Sequence, residues 1–368
     1  MHNTSRSVAI IDLGAMGHNL AEVKRLARDK KIIAMVKGNA YGHGLVGTAT
    51  FLADKVDYFG VAFVEEAIEL RENGIKTPIL VFNPTLPEQF DDYFKYNIDH
   101  TVASISALHD LDTKAKKRGI EIKVHLKIDT GMMRLGIRYT NAQNLLRKAS
   151  EVKNSQVVSV FSHFATSDEE NLDFANLQLE RFKKVIKFYD EQKQKPLFHM
   201  ANSAAIIRLP ESHFDMVRPG IMMYGYHPSE FTRSCAKLCP ALTWKAKATY
   251  FKVILKDHPV SYGGTWVAPE NVRAVTIPIG YADGFRRMLS NKGDVLIRGK
   301  KYSVIGNVCM DQTVIKIGEG EAYKGDDVVI IGKQGDQEIT AEDMAAKLDT
   351  ISYEVLTGIM KRVERVYI

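Results

Sequence analysis

A short apolar segment followed by an amphipathic one recurs along the first 218 residues, and this recurrence constrains the fold more than any other feature. It follows an opening strand at Val8–Asp12 and a helix around His18–Asp29. Strands are predicted at Ile32–Val36, Phe59–Phe63, Pro78–Phe82, Ile98–Ser104, Ile122–Ile128, Val157–His163, Leu197–Ala201 and Phe214–Arg218. Helical stretches lie between them. Glu65–Gly74 and Ser106–Gly119 each end on a glycine suited to a C-cap. Asn171–Gln192 carries Leu172, Phe174, Ala175, Leu179, Phe182, Val185 and Ile186 at helical spacing. Alternating strands and helices imply a mostly parallel α/β sheet. Eight strands point to a closed (β/α)8 barrel of the TIM type; a doubly wound sheet is the alternative.

The pattern changes near Ser234. The runs Lys245–Leu255, Arg273–Gly280, Asp294–Val304 and Asp327–Gly332 follow one another with few helices. Gly263-Gly264, Gly293-Asp294 and Gly325-Asp326 punctuate them as turns. A late helix starts at Thr340, where Asp343 completes capping-box spacing. The expectation is a barrel over 1–230 and a mostly-β domain over 231–368. Length allows both, since 368 residues exceed one ordinary domain.

Composition narrows the function. The net charge is +6, with 50 basic and 44 acidic residues, so an anionic ligand is allowed and nucleic acid is not demanded. No apolar run approaches the ~20 residues that span a bilayer. Asp12 and His18 bracket too short an apolar stretch for a signal peptide, so a cytoplasmic protein without membrane contact is expected. Cys235, Cys239 and Cys309 suit a reducing compartment, and no zinc-site spacing follows them; no metal is expected.

Barrel chemistry gathers at the C-terminal ends of strands, with phosphates held after strands seven and eight. Reactive residues fall there. Lys37 follows the first strand, Lys127 ends the fifth, and Arg134 lies in the loop beyond. His163 ends the sixth, His199 and Ser203 belong to the seventh, and Arg218 ends the eighth before Pro219-Gly220. A lysine partly desolvated at the end of an apolar strand has a lowered amine pKa, as a Schiff-base lysine requires.

Nine stretches together resemble the alanine racemase family. They are VKGNAYGHG (36–44), KIDTGMMRLG (127–136), FSHFA (161–165), HMANSAA (199–205), RPGIMMYG (218–225), VSYGGT (260–265), PIGYADG (278–284), GNVCMDQ (306–312) and SYEVLTGI (352–359). The resemblance implies a pyridoxal 5′-phosphate enzyme that interconverts L- and D-alanine, supplying D-alanine for peptidoglycan. It implies a homodimer with active sites at the subunit interface. Lys37 would hold the cofactor covalently and act as one base, with Tyr262 as the second. Tyr41, Ser203, Tyr353 and the amides of Gly220 and Ile221 would bind the phosphate. Arg218 would face the pyridine nitrogen, and His163 would link Tyr262 to Arg218. Arg134 and the Met310 backbone would meet the substrate carboxylate. Lys127 occupies a position carbamylated in some members. Tyr262 and Met310 would come from the partner subunit. Gly38, Met133 and Trp266 depart from the commonest spelling of the family.

Two bases on opposite faces remove and return a proton without either moving. Free tyrosine titrates near ~10, so nearby donors and positive charge are needed to favour its phenolate. Lys37, Arg134 and Arg218 are expected as buried cations around the anionic cofactor. Other readings remain open at this point. One is a racemase of broader specificity. Another is a barrel that carries the cofactor without turnover, which the β domain argues against. A decarboxylase of the same architecture would use a carboxylate at the pyridine nitrogen, where Arg218 stands.

Overall fold

The protein is described here by a computed structural model covering residues 5–192 and 195–368. The opening strand is β1, Ser7–Ile11. Eight parallel strands follow: β2 Lys31–Met35, β3 Tyr58–Val61, β4 Ile79–Pro84, β5 Asp99–Val102, β6 Ile122–Asp129, β7 Ser155–Phe161, β8 Leu197–His199 and β9 Met216–Val217. Each pairs with its sequence neighbour from β2 to β9, and β9 pairs back onto β2. The ring is a closed (β/α)8 barrel. Its strands are buried on both faces, as expected when helices cover the outside.

The intervening helices begin and end on chemistry visible in the chain. Ile105–Arg118 starts on Ser104, whose hydroxyl accepts from Ala107 N, and stops at Gly119 with φ 65°. Asp173–Ile186 buries Ala175, Leu179, Phe182 and Val185 along one stripe. The predicted eighth strand is regular over only two residues, although its bonds to both neighbours continue at either end, Asp215 N donating to Phe198 O at 3.0 Å and Met35 N to Pro219 O at 3.1 Å.

The chain divides into two compact units. One comprises Met16–Ala40 and Leu45–Cys239; the other comprises the opening residues to Ala15, Tyr41–Gly44 and Pro240–Ile368. The opening strand therefore departs from the sequence reading, which assigned all of 1–230 to the barrel. With eight strands the barrel is already closed, and it has no edge for a ninth. β1 instead lies between Leu242–Lys247, to which it is antiparallel, and Glu364–Tyr367, to which it is parallel.

The second unit is mostly β. β1, Leu242–Lys247 and Glu364–Tyr367 join Asp327–Gln334, Asp294–Ile297 and Lys300–Ser303 in one sheet. A three-stranded sheet holds Tyr250–Ile254, Val272–Ile277 and Thr313–Lys316. The predicted run Lys245–Leu255 is split between these sheets, because the chain turns at Ala248-Thr249. The Thr340 capping box forms: Asp343 N donates to Thr340 Oγ1 at 3.0 Å, and Thr340 N to Asp343 Oδ2 at 2.9 Å. Asp283 is a fully buried carboxylate held by Arg6, Arg362 and the Gly280 amide. These contacts pull its pKa down against the opposing effect of burial. Among the described residues, no helix is long and apolar enough to cross a membrane. Nor does any group of three His, Cys, Asp or Glu converge as for a metal ion among them. The three cysteines are free.

His100 on β5 gives the barrel an acid sensitivity. It is 1% exposed, stacked on Tyr93 at 4.3 Å, and its Nδ1 lies 3.0 Å from Thr85 Oγ1. Burial pulls its pKa down to about 3. An unfolded histidine takes its proton near ~6.5 while the folded one stays neutral, so stability falls as pH drops below that value. The expected loss from this residue is about 2 kcal/mol by pH 5. Urea unfolding of the His100→Asn protein should show a shallower dependence on pH between 7 and 5. An unchanged slope would remove His100 from the account.

Candidate active site

The C-terminal mouth of the barrel gathers the cationic candidates. Lys37 directly follows β2 and Val36. It opens a turn in which Gly38, Asn39, Ala40 and Tyr41 have φ of 64°, 56°, 53° and 52°. Three of these four left-handed residues are not glycine, and each of those three costs roughly 1–2 kcal/mol. Such a turn persists only where its surroundings hold it. Gly38 N donates to Glu66 Oε1 at 2.6 Å, and Glu66 Oε2 accepts from Ala62 N at 2.7 Å. Leu45 N donates to Asn39 Oδ1 at 2.9 Å. Glu66 is a support that sequence reasoning missed, since it looks like one more surface charge on a helix. Lys37 is half-buried. Burial first, then Arg134, lowers the proton affinity of its amine, with Glu66 opposing.

Arg218 lies just beyond β9 and is 3% exposed. Its Nη1 donates to His199 Nδ1 at 2.6 Å. Its Nη2 donates to Ser162 O and Met200 O, both at 2.8 Å, and to His163 Nδ1 at 3.0 Å. Burial pulls the guanidinium down to about 9, and these four acceptors keep it charged. Guanidinium offers donors only. Both histidines must therefore present an unprotonated Nδ1, and each neutral ring carries its proton on Nε2. Burial, then Arg218, holds both well below the ordinary histidine range.

Lys127 lies within the last turns of β6 and is 6% exposed. Its Nζ sits 5.1 Å from the centre of the Phe161 ring. Burial, with Arg218 next, drives its amine well below the usual lysine range. The loop after β6 folds back over it. Asp129 Oδ1 accepts from Gly131 N at 2.8 Å and Met133 N at 3.2 Å. Met133 has φ 57°, which explains why a glycine suits that position. Arg134, expected to be buried, is exposed, because this loop lifts it clear of the barrel wall. Gly136 has φ 113°, and a Cβ there would lie 2.9 Å from Lys127 Cγ, Lys127 O and Asp129 N. Gly136→Ala is expected to cost about 1–3 kcal/mol of stability, read as a lower thermal midpoint of the purified protein.

The candidate phosphate residues meet at strands β8 and β9. Ser203 opens the short helix Ser203–Arg208 behind the Asn202 cap. Its hydroxyl accepts from Gly220 N at 2.9 Å and Met222 N at 3.4 Å. Ile221 starts the 3-10 turn Ile221–Tyr224 that follows Gly220. Ser203, Gly220 and Ile221 are thus brought together, buried, in the position where barrels hold phosphates.

The remaining candidates belong to the second unit. Tyr41 and Tyr353 face each other with ring centres 6.0 Å apart. Burial pushes the Tyr41 phenol upward from its ordinary value. Gly42 lies where a Cβ would fall 2.0 Å from Leu356 O, so only glycine permits this approach. Tyr262 sits on a tight turn after Ser261, which has φ 62°. Asn307 Nδ2 donates to Tyr262 O at 2.6 Å, and Ser261 Oγ donates to Asn307 O at 2.6 Å. The turn is thereby tied to the loop that carries Met310. Gly280 packs on that loop so closely that a Cβ would lie 2.2 Å from Cys309 O. Tyr262 is 73% exposed and Met310 53% exposed.

Comparison with known proteins agrees along the whole chain. The family model for the alanine racemase N-terminal domain matches residues 11–228, and that for the C-terminal domain matches residues 241–367. Alanine racemase of Carboxydothermus hydrogenoformans is 43% identical over 364 residues, covering 98% of this chain and 99% of its own. The solved alanine racemase of Clostridium difficile 630 superposes with TM-score 0.93 at 37% identity, covering 99% of this chain and 96% of its own. The structure of alanine racemase from Bartonella henselae, with covalently bound pyridoxal phosphate, superposes with TM-score 0.90 at 28% identity. It covers 99% of this chain and 100% of its own. By family models over both halves and by full-length relatives, the chain belongs to the alanine racemase family.

Proposed function

We propose that this protein interconverts L- and D-alanine with pyridoxal 5′-phosphate, using Lys37 and Tyr262 as bases on opposite faces of the substrate Cα. The observation that carries the reading is Lys37, half-buried at a strand end with its proton affinity lowered by burial and Arg134. An amine in that setting is a nucleophile toward an aldehyde and then a base.

The residues present fit the cofactor. An aldehyde would meet Lys37. A phosphate would meet the Ser203 hydroxyl and the Ile221 amide; the Gly220 amide, which donates to Ser203 Oγ here, and the phenols of Tyr41 and Tyr353 are the further donors that the resemblance implies. A ring nitrogen is an acceptor, and Arg218, whose four bonds all leave from Nη1 and Nη2, keeps its Nε–H and a second Nη1–H to donate. When bound, the cofactor acidifies the Cα–H bond of the amino acid joined to it.

The chain's own groups do the rest. Lys37 would move a proton at one face of Cα. Tyr262 moves one at the other. His163 accepts from Arg218 at Nδ1, so its Nε2–H is the donor available to the Tyr262 oxygen. Arg134 and the Met310 backbone bind the carboxylate. Lys127, whose amine burial drives well below the usual lysine range, suits carbamylation, and its carbamate would orient Arg134.

A homodimer fits this reading. A base must work out of water, yet Tyr262 and Met310 are exposed in the single chain. A partner's barrel would cover them. Three free cysteines suit a cytoplasmic setting. Purified, cofactor-loaded protein in D2O should turn L-alanine into a racemate carrying deuterium at Cα. Absence of exchange would leave a cofactor-carrying barrel and end the reading. A panel of other L-amino acids in the same assay defines the substrate range.

A further inference from the structure

Beyond His199, the hydrogen bonds of Arg218 continue into the barrel core. His199 Nε2 lies 2.9 Å from Ser159 Oγ on β7. Ser159 Oγ lies 2.6 Å from His125 Nδ1 on β6. His125 Nε2 lies 3.1 Å from Asp99 Oδ2 on β5. All five side chains are at most 4% exposed. The rings reinforce the alignment, since His199 stacks on Phe161 at 4.9 Å and 4°.

With one proton on each histidine ring, the direction of every bond follows from the first. Arg218 can only donate, so His199 Nδ1 accepts and His199 Nε2 carries the proton. Nε2–H donates to Ser159 Oγ, whose own proton is left to donate to His125 Nδ1. His125 therefore carries its proton on Nε2 and donates it to the Asp99 carboxylate, an acceptor. The chain Arg218→His199→Ser159→His125→Asp99 is polarised end to end, with a cation at one terminus and an anion at the other. Reversing the Ser159–His125 bond alone would turn a bare His125 Nε2 toward the Asp99 carboxylate, two acceptors face to face, unless the ring took a second proton.

We propose that Asp99, His125 and Ser159 are positioning residues for Arg218: the carboxylate at the far side of the barrel locks both histidine tautomers, and so fixes the guanidinium for its bond to the ring nitrogen. The inference rests on the reading that Arg218 faces that nitrogen. It concerns residues that touch neither cofactor nor substrate.

Two measurements test it. The first uses 15N-histidine-labelled protein without cofactor. His199 and His125 should both appear as neutral rings with the proton on Nε2. An Nδ1–H tautomer or a charged ring at either position overturns the proposal. The second compares binding of pyridoxal phosphate with binding of its carbocyclic analogue, in which C–H replaces the ring nitrogen. Wild-type protein should prefer the natural cofactor. Asp99→Asn and Ser159→Ala should each lower that preference about fivefold, the range of one buried hydrogen bond. Thr101→Val is the control: Thr101 is a buried β5 residue that donates to Val81 O outside the chain of bonds, so its loss should leave the ratio unchanged. A purely structural role would weaken both ligands equally and leave every ratio at the wild-type value. If wild-type protein shows no preference, the placement of Arg218 at the ring nitrogen fails. If wild type discriminates and Asp99→Asn does so equally, the relay fails while that placement stands. Should the variants not fold, the tautomers of the wild-type protein decide.

Discussion

Tyr262→Phe chains are expected to retain the covalently held cofactor and its colour while losing racemisation by about 10²–10⁴-fold, the usual worth of a positioned base. Lys37→Ala chains should lose both attachment and turnover. Neither protein should recover alone. Mixed together and allowed to exchange subunits, they should regain about a quarter of the wild-type rate, because half the dimers are mixed and one of their two sites is intact. This follows from the proposed homodimer, in which a partner's barrel would cover the exposed Tyr262. The barrel with a good Lys37 would take its second base from the neighbour. If each variant loses activity but the mixture stays dead through complete exchange, both bases come from one chain. Full activity of Tyr262→Phe would remove the tyrosine from the mechanism altogether.

Arg218→Glu is the second large effect. Arginine stays protonated, so it donates to an acceptor and does not readily give up a proton. A carboxylate facing the same nitrogen would favour a protonated ring, a stronger sink that draws charge away from Cα. Proton return to Cα should then lose ground to proton return on the cofactor, which would keep the amino group as its amine form while water releases the keto acid. The expected result is a fall in racemisation together with a rise in pyruvate formed from alanine. The variant also strips four acceptors of their donor. It sets an anion against two Nδ1 atoms that have only lone pairs to offer. A stability loss of about 3–5 kcal/mol is expected from breaking a buried charged network on one side. Pyruvate release unchanged from wild type would sink the chemical account even if stability falls.

Much of the barrel was legible because each strand is a short apolar run with turn residues at both ends, and eight such runs close a ring. The mouth was legible for a related reason. Lys37, Lys127, His163 and Arg218 are charged or polar types at strand ends, where an apolar residue would suit packing alone. What stayed hidden depends on partners distant in sequence. β1 reads like any other strand, and nothing within it names Leu242–Lys247 or Glu364–Tyr367 as neighbours. Asp99, His125 and Ser159 each look like an isolated polar residue in a different strand. Only the barrel's curvature sets them in line. The exposure of Arg134 was missed because loop height above a barrel is set by turns such as Met133 at φ 57°, not by composition.

The pairing of β1 has a bearing on the order in which the molecule is made. β1 precedes the barrel in the chain, yet both its neighbours follow it, Leu242–Lys247 and Glu364–Tyr367. On a ribosome it waits, an unpaired apolar ribbon, while every barrel strand emerges and finds its place. Its second neighbour arrives only with the last residues. Long-range closures of this kind are slow, and the waiting segment is exposed to the wrong partners meanwhile. Deleting β1 should therefore leave barrel assembly intact and injure the β unit that carries Tyr262. A tag fused ahead of Ser7 bears on that same late step.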